Sequence, residues 1–483
     1  MEEFSAKVIN SPPLFGIKMS VLFRNLLARI AVFHFFMLEG IYDGTWSCYL
    51  PGIQNKLQIT DSQLGTAALF VYLGITIASP FSAYCLRHLG SQFSTYIGSI
   101  IFGLSINGIA QTNSFVMLMI TLFTYGWTMG IMDVSMNSAG IPAEIVAGRP
   151  LLGTFHGSYS AAAAVGSIFG SLLVATKLSI VTVFGALSAL SLVFSTAAST
   201  LMYTHSQEIK ISEINTELKK RDSHDHMNAE AERGDAKKVT TEKGTSSAAS
   251  NSVSSSHNSR ANWLIAAYSA VGFLAAFGES SMITWSVVYF DRVLSVAPGM
   301  HGMGFTAFQV SMAAGRFSCD YLRRVLGRRL IVRTGGLLAL SGLFLVVMSP
   351  SLGASFSSSD SREAVVGSAL LVNSSSTNGV AVSSFPTIAL ACMGFSITGF
   401  GLSTLIPTSF SSAGHIPGVH PGTAISIASV FTSAGGSVSP ALIGYLSDWL
   451  GGLQYALFCD ALLLGIISLL SFGIPEEDHH RQE

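Results

Sequence analysis

Long apolar runs alternate with short polar connections along this chain. A membrane-spanning helix needs about 20 mostly apolar residues, and twelve runs reach roughly that length. Their approximate bounds are 28–50, 62–84, 93–111, 115–139, 151–175, 180–203, 262–290, 301–321, 330–349, 385–412, 422–447 and 452–473. The pattern therefore predicts an all-α membrane protein with twelve transmembrane helices.

A polar segment separates the sixth predicted helix from the seventh. Residues 204–261 carry mixed charge and end in a Ser-rich run. Such a composition buries too little apolar surface to offset its conformational entropy, so we expect a disordered cytoplasmic linker. The linker divides the chain into two six-helix bundles, 28–203 and 262–473, with a cytoplasmic N-terminus (1–27) and a cytoplasmic tail (474–483).

The basic residues predict the orientation in the membrane. With both termini and the linker in the cytoplasm, all but four of the 26 Lys and Arg lie on that side. The exceptions are Lys56, Lys177, Arg292 and Arg362. The positive-inside rule favours this topology, and we expect a multi-pass protein of the plasma membrane rather than of an organelle. A glycosylation sequon at Asn373 then lies outside.

The two halves of the chain repeat each other. Three motifs recur in order with offsets of 239, 237 and 274 residues, and the long loop 350–384 after the ninth helix explains the one jump. The pairs are Thr45-Trp46-Ser47 with Thr284-Trp285-Ser286, Arg87 and Gly90 with Arg324 and Gly327, and Ser138-Ala139-Gly140 with Ser412-Ala413-Gly414. Two parallel repeats around a midplane site are the layout of a secondary transporter.

Composition excludes several classes of protein. Charged residues make up 11% of the chain and hydrophobic residues 49%, whereas soluble chains carry about 25% charged residues. A net charge of −1 gives no reason to expect a nucleic-acid partner. The five cysteines lie in or beside apolar runs and do not suggest a disulfide framework. No CxxC, HExxH, P-loop or GxSxG motif stands in a credible context, so we expect neither an enzyme nor a cofactor or metal site.

The first predicted helix carries two acids on one face. Glu39 and Asp43 are four residues apart, and Trp46 continues the same stripe. Because acids facing lipid are strongly disfavoured, this stripe should face the interior of the bundle. Two interpretations stay open for the acids: a proton or substrate site, or hydrated, passive side chains near the outer mouth.

The fourth and fifth predicted helices carry a second polar group. Asp133 and Asn137 share a face of one helix, and His156 and Ser160 share a face of the next, so a helical hairpin would place all four in a common polar space. An Asp in midmembrane costs roughly 2.5–3.5 kcal/mol on insertion scales, which favours a functional role. Asp133 is alternatively an anchor of an inner gate bonded to Arg149 or to a helix N-terminus, Asn137 a helix–helix contact and His156 an interfacial residue.

The seventh predicted helix extends the polar site to the second half. The repeat aligns Glu279 with the residue next to Glu39, so we expect acids of the two halves to approach one cavity. Trp46 and Trp285 either stack on a sugar-like ring or belong to an interfacial aromatic belt. Asp460 in the twelfth helix is a lone acid for which the sequence offers no partner.

The eighth predicted helix ends in a basic segment that we assign to a cytoplasmic gate. Its first-half counterpart keeps the Arg and the Gly but lacks the acid, a role for which Asp133 or Glu144 is the candidate. The residues assigned to this gate are Arg87, Gly90, Glu144, Arg149, Gly315, Arg316, Asp320, Arg324, Gly327 and Arg328.

Taken together, these segments resemble the major facilitator superfamily, and more narrowly its branch of rhizopine-transport-like permeases, distantly akin to fucose permeases. The matching segments are Met132-Asp133 with Met136-Asn137, Gly148-Arg149-Pro150 with His156 and Ser160, Gly315-Arg316-Phe317 with Asp320, and Leu405-Ile406-Pro407 through Ser412-Ala413-Gly414. The resemblance implies two six-helix bundles, rocker-switch alternating access and proton-coupled movement of sugars or cyclitols. It also implies that acids of the first and fourth helices carry the proton, with Glu39 or Asp43 and Asp133 as candidates here.

The sequence thus predicts a secondary transporter that moves a small polar organic solute with protons. Its expected partners are that solute, protons and the lipid bilayer, and we expect a monomer. Two alternatives stay open: an exporter of amphipathic compounds, and a non-transporting membrane sensor that uses the linker as its output.

Overall fold

The computed structural model describes residues 21–149, 151–218, 250–359, 383–417 and 419–475, and most of them are helical, with no strand in these ranges. The helices are α1 (Val21–Ser47), α2 (Leu50–Leu57), α3 (Asp61–Ala110), α4 (Phe115–Ala147), α5 (Leu152–Ala175), α6 (Ile180–Leu201), α7 (205–218), α8 (Ser250–Arg292), α9 (Met303–Ser359), α10 (Phe385–Leu402), α11 (Leu405–Ala413), α12 (Pro421–Leu450) and α13 (Leu453–Leu470). Short 3-10 turns lie at Pro298–Met300 and Ser471–Gly473.

The two longest helices each break at one glycine. Gly90 in α3 has φ 77° and ψ 170°, and Gly327 in α9 has φ 72° and ψ 163°. A side chain with a Cβ rarely adopts such a φ, so glycine is required at both breaks. The two breaks occupy matching positions of the sequence repeat and have nearly the same geometry, which supports the repeat.

The predicted twelve-helix membrane fold is confirmed. Ten of the described helices are long and apolar enough to cross a membrane. Division of the 50-residue helix α3 at Gly90 adds one crossing, and the part of α9 before Gly327 adds the other. The tenth predicted helix is divided between α10 and α11 at Ser403 and Thr404. Pro407 contributes to this break because it cannot donate a backbone hydrogen bond to the preceding turn.

The prediction of a disordered linker over 204–261 is wrong for residues 250–261, which begin α8, and for residues 205–218. Residues 205–218 form α7, and its buried Ile211 and Ile214 pack with Ala143 and Val146 of α4. Arg24 of α1 donates hydrogen bonds to the carbonyls of Leu201 and Met202 at the end of α6, both at 2.5 Å. The overall polarity of the segment concealed a short amphipathic period, and the tertiary contact of that apolar face stabilises the helix.

Some sequence predictions fall outside the described residues. They are the N-terminus through residue 20, the linker from 219 to 249, the sequon at Asn373, the residue Pro150 and the tail from 476 onward.

The bundle has two ends, which we name by what they carry. The linker end is the one at which α1 begins and α6 ends, and the loop end is the one that carries α2. The two halves meet chiefly where α3 packs against α12 and where α5 packs against α9.

Candidate functional site

A cavity of about 790 Å³ lies between the two halves of the bundle. Its size is within the range of sites that hold small organic molecules. Polar and aromatic side chains of both halves line it, namely Asp43, Trp46, Tyr72, Thr76, Ser79, Tyr125, Tyr159, Glu279, Ser280, Thr284, Ser429, Thr432, Ser433 and Ser437. Three of the residues predicted for the cavity, Asp43, Trp46 and Glu279, are among them.

Asp43 is held on the cavity wall by two tyrosines. Tyr125 of α4 donates to Asp43 Oδ1 at 3.0 Å, and Tyr159 of α5 donates to Oδ2 at 2.8 Å. Helix α5 comes this close because α1 presents Gly44 to it; a Cβ there would lie 2.0 Å from the Ala163 carbonyl oxygen. The sequence analysis missed both tyrosines. The one indication in the sequence was the position of Tyr159 directly before Ser160, a residue predicted for the cavity.

Glu39 lies close enough to both Asp43 and Asp133 for their charges to interact. Glu39 is one helical turn nearer the linker end than Asp43 and is only 4% exposed. No described residue makes a hydrogen bond or ion pair with its carboxylate, but the charges of Asp43 and Asp133 repel it. Asn137 donates to Asp133 Oδ1 at 2.8 Å, so these two are partners within one helix. The repulsion disfavours ionisation of all three acids together and favours binding of a proton or a cation.

Arg316 pairs with Glu279 within the second half and also contacts Ser160 of the first half. Arg316 Nη2 donates to Glu279 Oε1 at 2.6 Å, and Nη1 donates to Ser160 Oγ at 2.6 Å. The sequence analysis assigned Arg316 to the cytoplasmic gate, whereas the structure places it in the bundle interior with two residues predicted for the cavity. His156 lies near Arg316, half-buried and edge-on to Phe36 at 5.1 Å between ring centroids.

A second contact between the halves closes the wall of the cavity. The hydroxyls of Tyr72 and Ser280 are 2.6 Å apart, and Ser280 Oγ also lies 2.8 Å from the Gly436 carbonyl oxygen. The contact joins α3 of the first half to α8 and α12 of the second. It was not predicted, because Tyr72 has no sequence feature that separates it from an ordinary apolar position.

The two repeated tryptophans have different environments. Trp46 lines the cavity and lies tilted against Tyr125 with 6.1 Å between ring centroids. Trp285 is fully buried beside Gly444 of α12 and does not line the cavity, and its Nε1 has no hydrogen-bond partner in the described part of the chain. The repeat predicted a common role for the pair, and the structure separates them.

The first-half gate residues contribute few contacts. Arg87 and Arg149 are exposed and Glu144 is half-buried, and among the described residues none of them makes a side-chain hydrogen bond or ion pair. Asp133 bonds to Asn137 and not to Arg149.

A carboxylate from α7 takes the position for which Asp133 or Glu144 was the candidate. Glu208 accepts a hydrogen bond from the Ser91 backbone at 3.2 Å and another from its hydroxyl, directly after the break at Gly90. The acid therefore caps the second part of α3 and comes from the segment assigned to disorder.

The second-half gate residues lie around the break at Gly327. Gly315 packs so closely on Ser403 that an added Cβ would overlap its hydroxyl. Arg324 is exposed and Arg328 half-buried. The side chain of Asp320 lies outside the described residues. Arg323, which was not predicted, donates to Ser411 Oγ of α11 at 2.6 Å.

The loop end of the cavity is sealed by a polar cluster that the sequence analysis did not identify. We name Asp61, Arg292 and Ser447 the loop-end cluster. Asp61 accepts from Arg292 Nη1 at 2.5 Å, from Ser447 at 2.7 Å and from Gln54 at 2.8 Å. The cluster joins α3 to α8 and α12, and a Cβ on Gly444 would lie 2.3 Å from the Asp61 carbonyl oxygen.

The position of the cavity relative to this cluster indicates at which end of the bundle the cavity opens. The cavity wall on α3 runs from Ala68 to Pro80, on the linker-end side of Asp61. Thr76 and Ser79 on this wall are exposed. The cavity is therefore closed at the loop end and reached from the linker end. Arg292 was one of four basic residues predicted on the outer side, and this was the one indication of the loop-end cluster in the sequence.

Comparison with known proteins identifies relatives over almost the whole chain. The family model of the Major Facilitator Superfamily matches residues 30–392. An uncharacterised MFS-type transporter of Yersinia pestis is 23% identical over 432 residues, covering 89% of this chain and 91% of the relative. The membrane protein MosC of Rhizobium meliloti is 20% identical over 444 residues, covering 91% of this chain and 88% of the relative.

Solved transporter structures share the fold at low sequence identity. A bacterial homologue of the human lysosomal transporter Spinster, in an inward-facing and unoccupied conformation, matches with a TM-score of 0.61 and 12% identity, covering 94% of this chain and 97% of the other. The nucleoside transporter NupG matches with a TM-score of 0.56 and 12% identity, covering 93% and 97%. At this identity the likeness concerns the fold alone.

Proposed function

This chain belongs to the major facilitator superfamily and is a membrane transporter rather than an enzyme, and we propose that it moves a small polar organic solute, sugar- or cyclitol-like, together with protons. The solute binds in the cavity between the halves, and alternating access carries it across. The observation that carries the proposal is Asp43 on the cavity wall, held by two tyrosines, with Glu39 close to both Asp43 and Asp133.

The chemistry of the cavity suits a hydroxylated solute. The hydroxyls of Tyr72, Tyr125 and Tyr159 and several Ser and Thr side chains are available at its wall, with Trp46 as an aromatic face. Proton binding to one of the three acids relieves their mutual repulsion, and coupling requires that the solute bind the protonated cavity more tightly than the ionised one. Asp43 is the acid that lines the cavity, and the Tyr125 and Tyr159 hydroxyls orient it.

We place the termini and the linker end in the cytoplasm, in the plasma membrane, with the transporter acting as a monomer. The basic residues support this orientation. In it, the conformation described is open to the cytoplasm and closed outside by the loop-end cluster.

The test is uptake into liposomes that contain the purified protein. We expect one member of a panel of labelled sugars and cyclitols to enter faster with an inward proton gradient than without one. The Asp43→Asn variant should lose the effect of the gradient while it still exchanges solute across the membrane. Asp291→Asn is the matched control, because Asp291 lies at the loop end beside His301 and away from the cavity.

Two results would contradict the proposal. No panel member moving faster with the gradient would exclude proton-coupled movement of this solute class. Gradient-dependent transport of amphipathic compounds alone would favour an exporter, since Val71, Ile75 and Ile283 give the cavity apolar walls as well.

A further inference from the structure

Asp460 is a buried acid outside the cavity. It lies near the middle of α13 and is 0% exposed. Neither of its carboxylate oxygens has a hydrogen-bond partner among the described residues. A buried carboxylate without a partner is a rare arrangement, because a charged group in an apolar interior is strongly disfavoured unless it is paired.

The surroundings of Asp460 are apolar apart from one hydroxyl. Helix α13 packs against α8, α9 and α12. No charged or titratable side chain from the described parts of these helices interacts with Asp460, and the polar side chain that faces it is Ser281 of α8. The Ser281 hydroxyl also has no hydrogen-bond partner among the described residues. Two polar groups therefore face each other in an otherwise apolar contact between α8 and α13.

Helix α8 connects this contact to the cavity. Ser281 follows Glu279 by two residues, which places the two side chains on nearly opposite faces of the helix. Glu279 faces the cavity and its ion pair with Arg316, while Ser281 faces α13. Any rotation or bend of α8 that moves Glu279 in the cavity also moves Ser281 relative to Asp460.

We propose that Asp460 is a second proton-binding site, located between α8 and α13 of the second half. In the conformation described, Asp460 holds a proton, and the neutral acid is tolerated among its apolar neighbours. When α8 moves as the loop end opens, the contact with α13 loosens, water reaches the carboxyl group and the proton is released to it. Closure of the contact requires that a proton return. The site goes beyond the proposed function and does not depend on the identity of the solute.

The first test asks whether Asp460 is protonated. Infrared spectra of the purified full-length protein should contain a carbonyl band of a buried protonated carboxyl group near neutral pH, and Asp460→Asn should remove it. Glu213→Gln is the matched control, since Glu213 is an exposed carboxylate on α7 and should leave that band unchanged. Absence of any band that depends on Asp460 would show that this residue is ionised and would overturn the proposal.

The second test asks whether the proton is exchanged. Spin labels on Asn55→Cys and Trp449→Cys, in a chain whose five native cysteines are serine, report the separation of the halves at the loop end. Each proton released on opening changes the equilibrium constant between the closed and open loop end tenfold per pH unit. Asp460→Asn should therefore reduce the slope of this equilibrium against pH by about one proton. The variant should also stay closed at high pH, since Asn mimics the neutral acid.

The outcomes separate this proposal from the proposed function. An unchanged slope in Asp460→Asn, or a distance that is independent of pH in the parent protein, would show that Asp460 exchanges no proton and would overturn the proposal. Asp460→Glu keeps a carboxyl group and should keep the slope against pH. This variant therefore distinguishes loss of the proton site from a folding defect in Asp460→Asn. Failure of Asp43→Asn to alter solute uptake would contradict the proposed function and leave these results unaffected.

Discussion

The acids of this protein differ in what they contact, and the contacts suggest different roles. Asp43 accepts from two phenols, Asp133 from an amide and Glu279 from a guanidinium, whereas Glu39 has no partner among the described residues. In the proposed mechanism Asp43 and Glu39 are the acids that exchange protons, whereas Glu279 holds Arg316, which in turn contacts Ser160 of the first half.

Loss of one partner of the Glu279–Arg316 pair should destabilise the protein more than loss of both. Either Glu279→Gln or Arg316→Gln leaves a largely buried charge unpaired, at a cost of about 3 kcal/mol. The double variant should recover part of this loss because no charge remains. Melting temperatures of the four purified proteins measure the effect, and single variants as stable as the parent would show that the pair does not form.

At the scale of elements, the short helix α7 supplies the acid that the first-half gate segment lacks. Helix α7 packs Ile211 and Ile214 on α4 and offers Glu208 to Ser91 of α3. It therefore ties the end of the first bundle to the start of the linker. The linker is attached to the linker end through this helix, so the first half includes residues that composition alone assigned to disorder.

Undocking of α7 should make it sensitive to protease. Ile211→Asn places an amide in the apolar contact, whereas Ser212→Asn changes an exposed position on the same helix and is the control. We expect trypsin to cut after Lys210 at least several-fold faster in Ile211→Asn than in the parent or the control. Mass spectrometry of the fragments measures the rate. Equal rates in all three proteins would show that the helix is not held by this contact.

At the scale of the whole molecule, the contacts between the halves are unequal at the two ends. The loop-end cluster joins α3, α8 and α12, while the cavity opens toward the linker end. The alternating access proposed for this protein requires that these contacts break and that others form at the linker end. The stability of the loop-end cluster therefore sets how often the opposite conformation is visited.

Weakening the loop-end cluster should favour the open loop end. Arg292→Gln removes an ion pair that is partly exposed, and solvent screening limits its contribution to about 1 kcal/mol, or roughly a fivefold change in populations. The distance between labels at Asn55 and Trp449 should lengthen in a larger fraction of molecules. Lys56→Gln is the control, since Lys56 bonds at the same end to Thr112 within the first half. An effect of Lys56→Gln equal to that of Arg292→Gln would contradict the assignment.

The sequence by itself determined the membrane fold, the two repeated halves and the set of intramembrane acids. These follow from local properties, because a spanning helix must satisfy its own backbone and expose about 20 apolar residues to lipid. The repeat also fixed matching breaks at Gly90 and Gly327, whose positive φ only glycine readily adopts.

Only the tertiary structure decided which side chains meet. The loop-end pair joins Asp61 to Arg292, 231 residues apart, and the packing of α5 against α1 brings Tyr159 to Asp43. Such contacts depend on the rotation and crossing of whole helices, which a period of 3.6 residues does not specify. The same reason explains the position of Arg316. Its charge predicted a place at the membrane interface, whereas its pairing with Glu279 across packed helices allows a place in the bundle interior.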